Sequence, residues 1–128
     1  MVRGDPIEQF LLMVHPTRLD LPKGHIDDGE TEIECALREL VEETSITDKD
    51  IHLDPDFRFT THYTVRPPKY GGEKCEKTLV IFLGHLIHDV NIVLTEHEGF
   101  RWLDWRPPHQ LQAETIDPLL AELERSLA

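Results

Sequence analysis

The sequence predicts an α/β fold of the α+β type, a sandwich of helices packed on a mixed central sheet. Three observations predict it. Short apolar runs of strand length share the chain with two stretches of helical period. Their order is strand, helix, strands, helix, which suits helices covering the faces of one sheet. Pro- and Gly-containing segments punctuate the runs, and no repeat or low-complexity tract interrupts them.

The elements follow in order. Phe10-Leu11-Leu12-Met13-Val14 is a brief apolar run closed by Pro16 and reads as a buried strand. Leu19 to His25, carrying Pro22 and Gly24, reads as a loop or short strand. From Thr31 the period changes: Ile33, Ala36, Leu37 and Leu40 fall on one helical face. Thr31 with Glu34 three residues on is a capping-box start, and the helix is expected to end near Thr44 or Ser45. Cys35, inside that apolar pattern, reads as a buried thiol. Phe57 to Val65 carries Phe57, Phe59 and Tyr63 at even spacing, and Thr78 to Leu83 is apolar enough for a central strand. Between them, 66–74 is an irregular basic loop. Ile92 to Leu94 and Phe100 to Leu103 read as short strands flanking an acidic turn. Asp117 is read as an N-cap before Pro118, with Leu119, Leu120, Leu123 and Leu127 as the stripe of a terminal helix.

Composition narrows the function. The 128 residues fit one domain spanning 1–128, with 39% hydrophobic content to fill its core. A formal charge of -12, from 25 acidic against 13 basic residues, disfavours nucleic-acid polymers and anionic membranes as partners. No apolar run approaches bilayer length, and Met1 to Pro6 lacks a signal-peptide layout, so a cytoplasmic protein is expected. The two cysteines, Cys35 and Cys75, stand in no metal-ligand spacing and suggest no disulfide framework. A small anionic substrate stays open if cations offset the field, and so do a monomer and a homodimer.

The chemistry-bearing stretch runs from Gly24 through Glu30 to Arg38-Glu39-Leu40-Val41-Glu42-Glu43. Glu39, Glu42 and Glu43 sit at i, i+3 and i+4, which places three carboxylates on one helix flank. Like charges so close destabilise a helix by a few tenths of a kcal/mol per pair. A divalent cation turns that repulsion into attraction, and oxygen donors suit Mg²⁺ or Mn²⁺. Arg38 could orient one carboxylate through a bidentate contact. Glu42-Glu43 alone reads as a solvated acidic face, common in a chain this acidic; the longer pattern changes that reading.

That pattern, Gly24, Glu30, Arg38-Glu39-Leu40 and Glu42-Glu43 at these intervals, resembles the box of the Nudix hydrolase family. One fixed position departs from it: Ser45 stands where the family has glycine ahead of Ile46, at a helix end that normally turns left-handed. The resemblance implies a Nudix-type α/β/α sandwich with a catalytic loop–helix–loop. It implies Glu39, Glu42, Glu43 and the backbone carbonyl of Lys23 as metal ligands, with Glu30 and Arg38 as their support. The implied chemistry is in-line attack of an activated water on a phosphoanhydride phosphorus.

Outside the box, Leu21-Pro22-Lys23-Gly24-His25 is similar to the opening of the diadenosine tetraphosphate hydrolase branch, and so is Thr95-Glu96-His97-Glu98 ahead of Phe100-Arg101-Trp102-Leu103. This similarity implies Glu96 as metal ligand or general base, and Lys23, His25, Lys77 and His97 beside the phosphates. Tyr63 would stack on an adenine, although a strand-core role explains it as well. The implied reaction is asymmetric hydrolysis of diadenosine tetraphosphate to ATP and AMP. Alternatives are a nucleoside triphosphate pyrophosphatase, an RNA 5′-pyrophosphohydrolase, a diphosphoinositol polyphosphate hydrolase and a catalytically silent nucleotide sensor. The family also has an apolar strand before the position of Phe10, for which Met1-Val2 offers little.

Overall fold

The structure, a computed structural model, describes residues 1–14, 16, 19–21, 26, 28–65, 71–94 and 99–127, without the side chains of Tyr63, Val65 and Cys75. In chain order it holds β1 (Val2–Arg3), β2 (Gln9–Val14), β3 (Leu19–Asp20), α1 (Glu32–Thr44), β4 (Ile51–Val65), β5 (Cys75–Leu86), β6 (Gly99–Asp104) and α2 (Ile116–Leu127). The strands form one mixed six-stranded sheet whose hydrogen-bonded path runs β3-β2-β1-β5-β4, with β6 also paired to β2. Every pairing is antiparallel except β1 with β5. β6 follows β2 along its whole length, Gln9 opposite Asp104 to Val14 opposite Gly99, so β1 and β3 share the other side of β2.

The apolar run at Phe10–Val14 is the expected buried strand, with Leu12 and Met13 fully covered. Its alternation sends Phe10 and Leu12 to one face. There they join Val2, Phe57 and Leu83 under Ile116, Leu119, Leu120 and Leu123 of α2. The neighbouring positions of β5, Phe82 and Gly84, border the space beneath α1. The two helices thus cover opposite faces, as in the sandwich that the sequence implies.

Five expectations need correction. Ile92 to Leu94 forms no strand; the Val93 N–H donates to the Thr44 carbonyl at 3.0 Å and so binds the segment to the end of α1. Asp117 is not the N-cap, because α2 starts at Ile116. Gln112 serves that end instead, its Oε1 accepting from Thr115 N at 2.8 Å and Ile116 N at 3.1 Å, while Asp117 Oδ1 accepts from Leu111 N and Gln112 N. Leu127 leaves the apolar stripe and stands exposed. On α1 the apolar face is only half covered, with Ile33 exposed, since it borders a cavity rather than a closed core. β4 also begins earlier than expected. A register shift between Leu53 and Arg58 absorbs Pro55 and lets the strand run back to Ile51.

The ends of α1 are as the sequence specifies. Thr31 accepts from Glu34 N and Glu34 returns the bond to Thr31 N, which completes the capping box. Ser45 closes the helix at φ 66°, with its N–H on the Val41 carbonyl. A side chain in that left-handed conformation costs roughly 1 kcal/mol relative to glycine. Ser45→Gly is therefore expected to raise Tm by a few degrees and leave turnover unchanged; a lower Tm in calorimetry contradicts this account of the cap.

Candidate functional site

Residues from three stretches meet at α1. Its capped start follows Glu30, its middle presents Arg38 and Glu39, and its last turn carries Glu42, Glu43 and Thr44. Helical spacing gathers these side chains, and one guanidinium organises them. Arg38 forks onto Glu30, Nε donating to Oε2 at 2.7 Å and Nη2 to Oε1 at 3.0 Å. Its remaining nitrogen, Nη1, donates to Glu39 Oε1 at 2.8 Å and Glu42 Oε2 at 3.2 Å. A planar fork with five N–H donors can hold three carboxylates in this way; a lysine cannot.

The carboxylates differ in setting. Glu42 is half exposed at its side chain, whereas Glu39 is largely covered and Glu43 is buried at 3% exposure. Thr44 beside it is fully buried; its hydroxyl donates to the Leu40 carbonyl at 2.6 Å and accepts from Ile46 N at 3.1 Å. That double bond fixes the last turn, and with it the direction in which Glu42 and Glu43 leave the helix. Cys35, one turn before Arg38–Glu39, is buried, and burial pushes its thiol pKa up, with the Glu30 charge adding to the effect. A raised pKa favours the neutral thiol at neutral pH.

A feature with no signal in the sequence joins the site from β4. Arg58 Nη2 donates to both oxygens of Glu32, at 3.1 and 2.9 Å, and so ties the first residue of α1 to the sheet. Between α1 and β5 lies a cavity of about 410 Å³. Glu39, Cys35, Leu37 and Leu40 line it from the helix, and Val80 and Phe82 from the strand.

The donor chemistry fits a hard divalent cation, since Glu39, Glu42 and Glu43 offer only carboxylate oxygens from one flank. Among the described residues no three His, Cys, Asp or Glu side chains converge closely enough to hold a metal ion. Arg38 draws Glu39 and Glu42 to itself, and the Glu42 side chain is half exposed. The other expected site residues Lys23, His25, Glu96 and His97 lie outside the described residues, as does the side chain of Tyr63. Lys77 is described: it is half-buried on β5, opposite Tyr63 in the register.

A sequence model of the NUDIX domain matches residues 3–127. The chain belongs to the NUDIX family. Its relatives include proteins of two named activities. It is 39% identical over 104 residues to the asymmetrical bis(5′-nucleosyl)-tetraphosphatase of Rattus norvegicus, a match covering 79% of this chain and 66% of the rat protein. It is 36% identical over 103 residues to an RNA pyrophosphohydrolase of Wolbachia sp. subsp. Brugia malayi, covering 75% of this chain and 63% of that one. The matched segment thus spans just under two thirds of each relative. In three dimensions it resembles the C. elegans Ap4A hydrolase in a binary complex, with a TM-score of 0.80 at 28% identity over 98% of this chain and 91% of that one. No helix among the described residues is long and apolar enough to cross a membrane.

Proposed function

We propose that this NUDIX chain hydrolyses a phosphoanhydride bond in a dinucleoside polyphosphate, cutting diadenosine tetraphosphate asymmetrically into ATP and AMP. The observation that carries the reading is the Arg38 fork on Glu30, Glu39 and Glu42, on the helix flank that also carries Glu43. Similarity to the rat tetraphosphatase and to the C. elegans hydrolase supports the substrate.

In this reading Glu39, Glu42, Glu43 and the Lys23 carbonyl hold Mg²⁺ or Mn²⁺. When bound, that ion supplies charge neutralisation at the phosphates and acidifies a water. Arg38 aims the carboxylates through its charge-assisted hydrogen bonds. Glu96 takes a proton from the attacking water, whose oxygen bonds to phosphorus as the bridging oxygen leaves on the departing nucleotide. Lys23, His25, Lys77 and His97 line the phosphate chain, and Tyr63 stacks on one adenine. The buried thiol of Cys35 accords with a cytoplasmic setting.

The test is a nucleotide panel incubated with Mg²⁺, with products resolved by chromatography. ATP and AMP in equal amounts from diadenosine tetraphosphate are expected. Pyrophosphate release from a 5′-triphosphorylated RNA with no cleavage of the dinucleotide supports the second reading, which the Wolbachia relative favours and the charge of -12 opposes. Glu96→Gln is expected to cut kcat at least about tenfold with KM near wild type and to shift the acidic limb of the pH–rate profile. Glu98→Gln is the control; if it cripples the enzyme while Glu96→Gln does not, the base is misassigned.

A further inference from the structure

Next to the positions of β4 and β5 that line the cavity under α1, the β4–β5 ladder carries a pair of histidines that the reaction does not use. His52 of β4 and His85 of β5 are direct register partners in the antiparallel ladder. Directly opposite positions send their side chains to one face, with Cβ atoms about 4.5–5.5 Å apart. His52 is exposed and His85 half-buried, and among the described residues neither imidazole hydrogen bonds to another side chain. Nearby Asp50 does not compete for them. Its carboxylate accepts from Thr47 N at 2.9 Å and sits 2.9 Å from His88 Nε2.

We propose that His52 and His85 chelate a borderline divalent transition metal ion of the zinc or nickel type. Imidazole nitrogens prefer such ions to Mg²⁺. Metal–nitrogen bonds of about 2.0–2.1 Å need the two nitrogens within roughly 4 Å, which facing cross-strand side chains can reach. Among the described residues no third His, Cys, Asp or Glu completes the set, so water fills the remaining positions. The place matters for the fold. The register shift lies between Leu53, opposite Gly84, and Arg58, opposite Phe82, and it cuts the rungs at Ile51–Leu53 from the rest of the ladder. A metal across His52 and His85 staples that separated end of the hairpin, far along the chain from the turn that connects the strands, where closing a long loop stabilises most.

The untagged chain is titrated with nickel chloride and, separately, zinc chloride, in excess Mg²⁺ so that hard-cation sites are saturated. Saturable one-to-one binding in calorimetry and a rise in Tm are expected. His52→Asn and His85→Asn should each weaken Ni²⁺ binding at least tenfold and abolish the Tm rise, while His88→Asn keeps both. No saturable binding by the parent chain, wild-type affinity in His52→Asn, or loss of binding in His88→Asn overturns the proposal. Melting without added metal shows whether each variant folds. Should His85→Asn fail to fold, the exposed His52 decides the matter alone.

Discussion

Glutamine at position 42 or at position 43 is expected to lower turnover by about a hundredfold or more while the chain still folds, a loss of roughly 2.7 kcal/mol of transition-state stabilisation. The two substitutions probe one flank from different depths. Glu42 is half exposed at its side chain and accepts from Arg38 Nη1 at 3.2 Å. An ion pair so exposed contributes little to stability, so Glu42→Gln should melt within a few degrees of wild type. Glu43 is buried, and glutamine keeps its shape while removing its charge. Some loss of Tm is expected there, and steady-state kinetics well below the transition separate it from the catalytic loss. KM for the nucleotide should move much less than kcat, since the lost interaction belongs to the reacting phosphate. Turnover within tenfold of wild type in both variants sinks the metal-site assignment.

The parts legible in the sequence are those whose geometry a single helix dictates. Thr31 and Glu34 stand three apart, so a capping box follows from spacing alone. Arg38 reaches Glu30, Glu39 and Glu42 because all lie within about two turns of it. Ser45 at φ 66° occupies the position where a left-handed cap was expected, without the glycine that usually fills it. What was illegible depends on partners distant along the chain or on side chains that rival one another. The Arg58–Glu32 pair joins residues 26 apart across two elements. Asp117 has a capping residue's chemistry, yet its carboxylate is spent on Leu111 N and Gln112 N, and Gln112 takes the helix end. Ile92 to Leu94 has strand composition, but the bond from Val93 to the Thr44 carbonyl holds it against α1 instead. Local propensity named the residue types in both cases; the competition for donors chose the outcome.

Leu12→Ala is expected to cost about 3–4 kcal/mol of folding stability, more than any substitution on the exposed faces. Leu12 has no solvent exposure and sits in the middle of β2, the strand that pairs with β1, β3 and β6. Its side chain packs in the cluster with Phe10, Leu83, Ile116 and Leu120, so truncation opens a void between the sheet and α2. β2 is held on both sides by ladders and cannot shift to fill that void, which places the cost toward the upper part of the usual range. Domains of this size are stable by only about 5–15 kcal/mol, so Tm should fall by roughly 10 °C or more. Val93→Ala, at a position 57% exposed, should change stability by less than about 0.5 kcal/mol and serves as the control. The catalytic flank lies on α1, against the other face of the sheet, so kcat measured well below the transition should stay within about threefold of the parent value. Denaturant unfolding decides the first point: a midpoint shift equivalent to under about 1 kcal/mol shows that Leu12 does not anchor the core. A large loss of kcat in the still-folded variant shows instead that the packing under α2 reaches the carboxylates through the sheet.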